Sequence, residues 1–94
     1  MKYYRGWVGT PIERYLPRVT DKAYCFTYAG GATTANDTYT YFPKSQVKIG
    51  EPNEYGNAEI LIPLWLIKNK GNGFDPYRLR EVELFNGENP IVDL

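Results

Sequence analysis

The sequence predicts a mainly β fold, a small single-domain β-barrel or strongly curved antiparallel sheet with one short helix at about residues 64–70. Three observations carry that expectation. Residues 22–28 alternate with period two, setting Tyr24, Phe26 and Tyr28 on one face and Ala23, Cys25 and Thr27 on the other. The 94 residues include nine Tyr, four Phe and two Trp, types that favour strands. Gly and Pro interrupt the chain at short intervals, as expected where short strands follow one another closely.

Residues 2–8 read as a first strand, stopped by the Gly9-Thr10-Pro11 turn signal. Between Pro11 and Val19, two prolines favour an extended or edge segment over a helix. Gly30-Gly31 and Asn36-Asp37 mark a long hairpin connection from the strand at 22–28 to a return strand at 38–42. The return strand sets Tyr39 and Tyr41 on one face and Thr38, Thr40 and Phe42 on the other. If the pair is in register, Tyr24 and Tyr28 join Tyr39 and Tyr41 in a cross-strand aromatic ladder.

Pro43 lacks a ladder donor and predicts a bend, with Lys44, Ser45 and Gln46 bonding the freed backbone groups. Strands are expected at 46–49 and 58–62, followed by the helix after Pro63 and a stop at Gly71. Asp75-Pro76 is a helix-start signal, yet residues 80–85 alternate. A strand from about Leu79 to Phe85 is the expectation there. Phe26 and Phe42 read as core, and Trp7 and Trp65 as core anchors, Trp65 packing the helix onto the sheet.

Ninety-four residues fit one domain, 1–94. Eleven Lys and Arg balance eleven Asp and Glu, which argues against a simple polyanion binder. The distribution is uneven. Residues 1–50 carry seven basic against three acidic side chains, and residues 51–94 carry four against eight. Such a dipolar chain offers a basic face to nucleic acid, or lets neighbouring subunits meet, unless folding interleaves its halves. The single Cys25 excludes an internal disulfide and reads as a small core residue. The N-terminal residues lack the apolar run of a signal peptide, and Asn36-Asp37-Thr38 is then a chance glycosylation match. The longest apolar stretch, around 60–67, is broken by Pro63, so no membrane partner is expected and the chain reads as cytoplasmic.

Little in the sequence supports catalysis. The chain has no histidine, which removes Ser-His and Cys-His nucleophile systems, and one cysteine does not make a zinc site. No cofactor or metal is expected. Glu81 and Glu83, two residues apart on one strand face, are the closest carboxylate pair and read as solvated. Binding chemistry is better represented. Stacking rings beside cations are the parts of a single-stranded nucleic-acid site, and Tyr24, Phe26, Tyr28, Tyr39 and Tyr41 with Arg18, Lys22, Lys44 and Lys48 would supply them. Cations clustered beside the tyrosines favour nucleic acid, and scattered ones a protein partner. Tyr3, Tyr4 and Arg5 form a second cluster of a kind enriched at protein interfaces, or else an edge strand with exposed rings.

Three short motifs occur in order: Thr20-Asp21-Lys22-Ala23, Phe42-Pro43-Lys44-Ser45-Gln46 and Ile62-Pro63-Leu64-Trp65-Leu66. Over about residues 18–71 this arrangement resembles a group of small phage and prophage proteins with the pattern T-x-K-A, aromatic-Pro-Lys-Ser-Gln, apolar-Pro-x-Trp-Leu. Leu64 stands where that pattern is often acidic, and residues 72–94 read as a C-terminal extension. The resemblance implies a β-barrel-like module of a bacterial virus, acting in the host cytoplasm. Viral origin, absent catalytic groups, exposed tyrosines and the acidic tail bearing Glu81 and Glu83 suit a non-enzymatic accessory protein. Such a protein would bind and block a host protein or nucleoprotein defence complex, in the manner of anti-CRISPR inhibitors. The alternatives are a single-stranded nucleic-acid-binding module and a virion or assembly component that forms homo-oligomers.

Overall fold

The computed structural model describes residues 1–29, 38–71, 73–83 and 89–94. Strand β1, Lys2–Gly9, is the axis of the larger sheet. Strand β6, Asn57–Pro63, lies antiparallel along one side, from Tyr3 opposite Pro63 to Gly9 opposite Asn57. Two tail strands share the other side end to end: β7, Val82–Glu83, beside Trp7 and Val8, and β8, Ile91–Asp93, beside Lys2 to Tyr4. Strand β5, Lys48–Ile49, completes the sheet on the far side of β6. The N-terminal amine closes the β1–β8 end on the Asp93 carboxylate at 3.1 Å and the Leu94 carbonyl oxygen at 3.0 Å. Residues 72–94, expected as an addition to a core at 18–71, thus supply two strands that pair with the central one.

The smaller sheet is β2 (Arg18–Val19), β3 (Ala23–Tyr28) and β4 (Thr38–Pro43), in that order. The chain from Arg78 to Glu83 sews the two sheets together. The Ala29 amide donates to the Arg78 carbonyl (3.1 Å) and the Arg80 amide to the Thr27 carbonyl (3.1 Å), before the same segment continues into β7. The protein is therefore mainly β, with two antiparallel sheets rather than a closed barrel. Among the described residues no strand covers the outer edge of β4. The long connection expected at 30–37 and the end of the strand expected to reach Phe85 lie outside the described residues; of that strand, Leu79 makes an isolated bridge to Tyr28 and only Val82–Glu83 is strand.

Tyr4, Val8, Phe26, Phe42, Ile60 and Ile62 are fully or almost fully buried in the core between the sheets. The sewing segment brings the tail close to β1. A Cβ on Gly6 would lie 2.5 Å from Cγ1 of Val82 and 3.0 Å from the Glu83 carbonyl oxygen, so this approach depends on glycine.

Two helical details depart from the expectations. Helix α2, Leu64–Lys68, lies where a helix was predicted, but it docks through Leu66 and Ile67 and leaves Trp65 43 % exposed. A five-residue helix has one buried face, and successive residues point about 100° apart. Helix α1, Ile12–Tyr15, is a single turn in a segment expected to be extended. Pro11, with φ −64°, is fixed at an angle that leads into a helix, and buried Leu16 anchors the turn's exit. Only Arg18–Val19 keeps the extended character expected there. Among the described residues no helix is long and apolar enough to cross a membrane.

Candidate functional site

The register of β3 and β4 sorts the tyrosines differently from the expected ladder. Tyr24 lies opposite Phe42, Phe26 opposite Thr40, and Thr27 opposite Tyr39. Direct partners share a face, so Tyr24, Phe26 and Tyr28 go with Phe42, and Tyr39 and Tyr41 take the other face with Cys25 and Thr27. A one-residue slip would turn Phe42 to solvent, and the burial of Phe26 against Phe42 decides the matter. The four-tyrosine ladder does not form.

What remains outside is compact. Arg18, Cys25 and Tyr41 are partners in one row across β2, β3 and β4, with Tyr39 one row further along. Tyr39 is 65 % exposed and Tyr41 40 %, whereas Cys25 is 1 % exposed beneath its neighbours. Together with Pro17 these side chains surround a cavity of about 330 Å³. A side-chain hydrogen bond with Tyr41 is the main influence on Arg18, raising the pKa of its exposed guanidinium.

Lys70 approaches from the turn after α2. Its Nζ donates to the Tyr41 carbonyl at 2.5 Å and lies 4.9 Å from the Phe42 ring centroid. Burial lowers the Lys70 pKa from its ordinary value. At the foot of the strand pair, the Lys44 amide donates to the Lys22 carbonyl (2.8 Å), and both side chains line a second depression with Asp21, Pro43 and Ser45. The bend after Pro43 is closed by backbone, the Gln46 and Val47 amides both donating to the Pro43 carbonyl.

Other predicted site residues serve the fold. Tyr24 is half-buried on the core side, with the Lys44 ammonium 5.3 Å from its ring centroid. Tyr28 stacks on Phe74 at 4.7 Å, and its hydroxyl accepts from the Asp75 amide (3.0 Å) and donates to the Gly73 carbonyl (3.3 Å). Tyr3 and Tyr4 are buried and Arg5 pairs with Glu59 at 3.1 Å, so this triplet is part of a central strand and not an exposed interface. Lys48 lies over Tyr3 at 5.1 Å, far in topology from β4.

Glu81 is not a solvated carboxylate, for its Oε2 accepts the Thr27 amide at 2.8 Å. Glu83 is exposed, and both line a different cleft of about 320 Å³ with Trp7, Tyr15 and Arg80. Among the described residues no three His, Cys, Asp or Glu side chains gather as a metal site.

Of the predicted residues, Tyr39 and Tyr41 therefore form the exposed pair, joined by Arg18. Lys22 and Lys44 lie at its foot. The site also takes in Pro17 and Cys25, while Lys70 reaches the edge of β4 from the Phe42 side. Cys25 and Tyr41 could have been paired by asking which register buries Phe42; Lys70, 29 residues from its acceptor, carries no local signal.

Comparison with protein-family models, curated proteins and solved structures yields no significant match to this chain.

Proposed function

We propose that the protein is a non-enzymatic binding module that holds single-stranded nucleic acid on the outward face of the β2–β3–β4 sheet. One observation carries this reading: the two exposed tyrosines of β4 lie together with Arg18 around one cavity, with Lys22 and Lys44 at the end of the same strands. Rings on a sheet surface stack bases irrespective of sequence, at roughly 1–3 kcal/mol per base, while nearby cations neutralise phosphates. The balanced net charge makes the attraction local rather than global, so binding should be modest and sensitive to salt.

The test is a fluorescence-anisotropy titration with a labelled single-stranded 12-mer at low salt. Saturable binding that weakens with added salt, and weakens at least tenfold in Tyr39→Ala/Tyr41→Ala, supports the reading. A flat titration overturns it.

A phage-type accessory protein that blocks a host protein or defence complex is the second reading, and one feature favours it. Thr27 uses its amide and carbonyl on the Glu81 and Arg80 side, so opposite it Tyr39 turns its own amide and carbonyl to the outer edge of β4. An extended segment of a partner protein can pair with such an edge. Copurification from host lysate separates the two readings, a discrete protein in place of nucleic acid favouring the second.

A further inference from the structure

We propose that the cavity over Cys25 is the seat of a single nucleotide, its base lying between Tyr39, Tyr41 and Pro17 and its phosphate meeting Arg18. The inference rests on the nucleic-acid reading and adds the position of the ligand. Three features point to this spot. The row Arg18–Cys25–Tyr41 runs straight across three strands, and its middle residue is the smallest. Two strand spacings set the Arg18 and Tyr41 backbones roughly 10 Å apart, and the cavity lies above the small residue between them.

The walls of the cavity differ in chemistry. Tyr39, Tyr41 and Pro17 offer flat, weakly polar surfaces, and the small Cys25 side chain, 1 % exposed, lies beneath them without adding charge or bulk. Arg18 stands at one end, in the same cross-strand row as Tyr41. A guanidinium has five N–H donors, so one bond to a phenol leaves several for a phosphate. The seat therefore selects for a planar base carrying an anion, with little preference among bases.

Cys25→Met fills the cavity from below without adding charge. The oligonucleotide affinity of this variant should fall at least tenfold, measured at a temperature where circular dichroism shows it folded. Tyr55→Ala, on the 80 % exposed ring of a distant turn, should bind as the parent does. Arg18→Gln should reduce the slope of log affinity against log salt by about one, the share of one phosphate. Should Cys25→Met fail to fold, a 12-mer with one 5-iodouracil, photolysed on the parent protein, still reports the site. Cross-links at Tyr39, Tyr41 or Cys25 support the seat. If the 12-mer binds but cross-links only at other rings, or Cys25→Met binds as the parent does, the seat is wrong and the function stands. If the 12-mer does not bind at all, both fall.

Discussion

Phe26 and Phe42 meet edge to face with ring centroids 5.5 Å apart, as diagonal neighbours of the β3–β4 ladder rather than direct partners. The contact continues outward, Phe42 meeting Phe74 at 6.4 Å and Phe74 stacking on Tyr28. One hydroxyl tests how far this cluster fixes the register. Phe42→Tyr adds it at a position with 0 % exposure and should cost about 1–3 kcal/mol. Tyr41→Phe removes one at the surface and should stay within about 0.5 kcal/mol. Urea unfolding of the two variants checks the contrast, and equal costs would mean that the register is not set by this burial.

That same pair marks the limit of what could be read beforehand. Period-two alternation located β3 and β4 and made Phe26 and Phe42 core, because alternation is a local property. Alternation does not say which residue lies opposite which, and a shift of one position moved Tyr39 and Tyr41 away from Tyr24 and Tyr28. The short element at 12–15 and the exposure of Trp65 were missed for a related reason, since in elements of four or five residues tertiary contacts outweigh propensity. Tyr3 and Tyr4 look like surface residues in a list of amphipathic side chains. Tyr4 is buried because it faces the core, where Tyr77 meets its ring edge to face at 6.0 Å, and Tyr3, on the other face of β1, has the Lys48 ammonium over its ring. Arg18 is legible in the sequence as a cation, but its row-mate Cys25 joins the site only through the strand register.

Gly6 should resist substitution. An alanine methyl would meet the Val82 side chain at 2.5 Å and the Glu83 carbonyl at 3.0 Å, and the second contact is with backbone. Overpacking of this kind typically costs about 1–3 kcal/mol. Gly6→Ala/Val82→Ala should recover only part of the loss attributable to crowding, because the carbonyl contact persists. Urea midpoints of the two variants, compared with Val82→Ala alone, measure that remainder.

The Tyr4 hydroxyl is buried and has no hydrogen-bond partner among the described residues. Burial raises its pKa well above the ordinary value of 10.0, with Tyr77 and then Asp75 adding to the effect. The folded protein therefore holds this proton more tightly than the unfolded chain does. Its contribution to stability is complete below pH 10 and is lost as the pH rises from there towards the folded value, at up to about 1.4 kcal/mol per pH unit. Tyr4→Phe should leave stability at pH 7 unchanged or slightly higher and shift the alkaline unfolding midpoint upward. Circular dichroism between pH 8 and 12 reads both, and an unmoved midpoint would assign the alkaline transition to other groups.

Proline substitution along β4 tests which backbone groups face outward. Phe26 and Thr40 are a hydrogen-bonded pair, because the Thr27–Tyr39 pair next to them is the open one. Thr40→Pro thus deletes a ladder donor in the middle of the hairpin and should leave little folded protein at 25 °C. The Tyr39 amide points away from β3, where Pro43 in the same strand already lacks a donor without harm to the ladder. Tyr39→Pro should accordingly fold, losing no more than about 1 kcal/mol. It should bind the single-stranded 12-mer more weakly than the parent, since one ring of the exposed pair is gone. Thermal melts followed by far-ultraviolet circular dichroism distinguish the two variants, and a Tyr39→Pro protein as unstable as Thr40→Pro would show that β4 is paired on both edges.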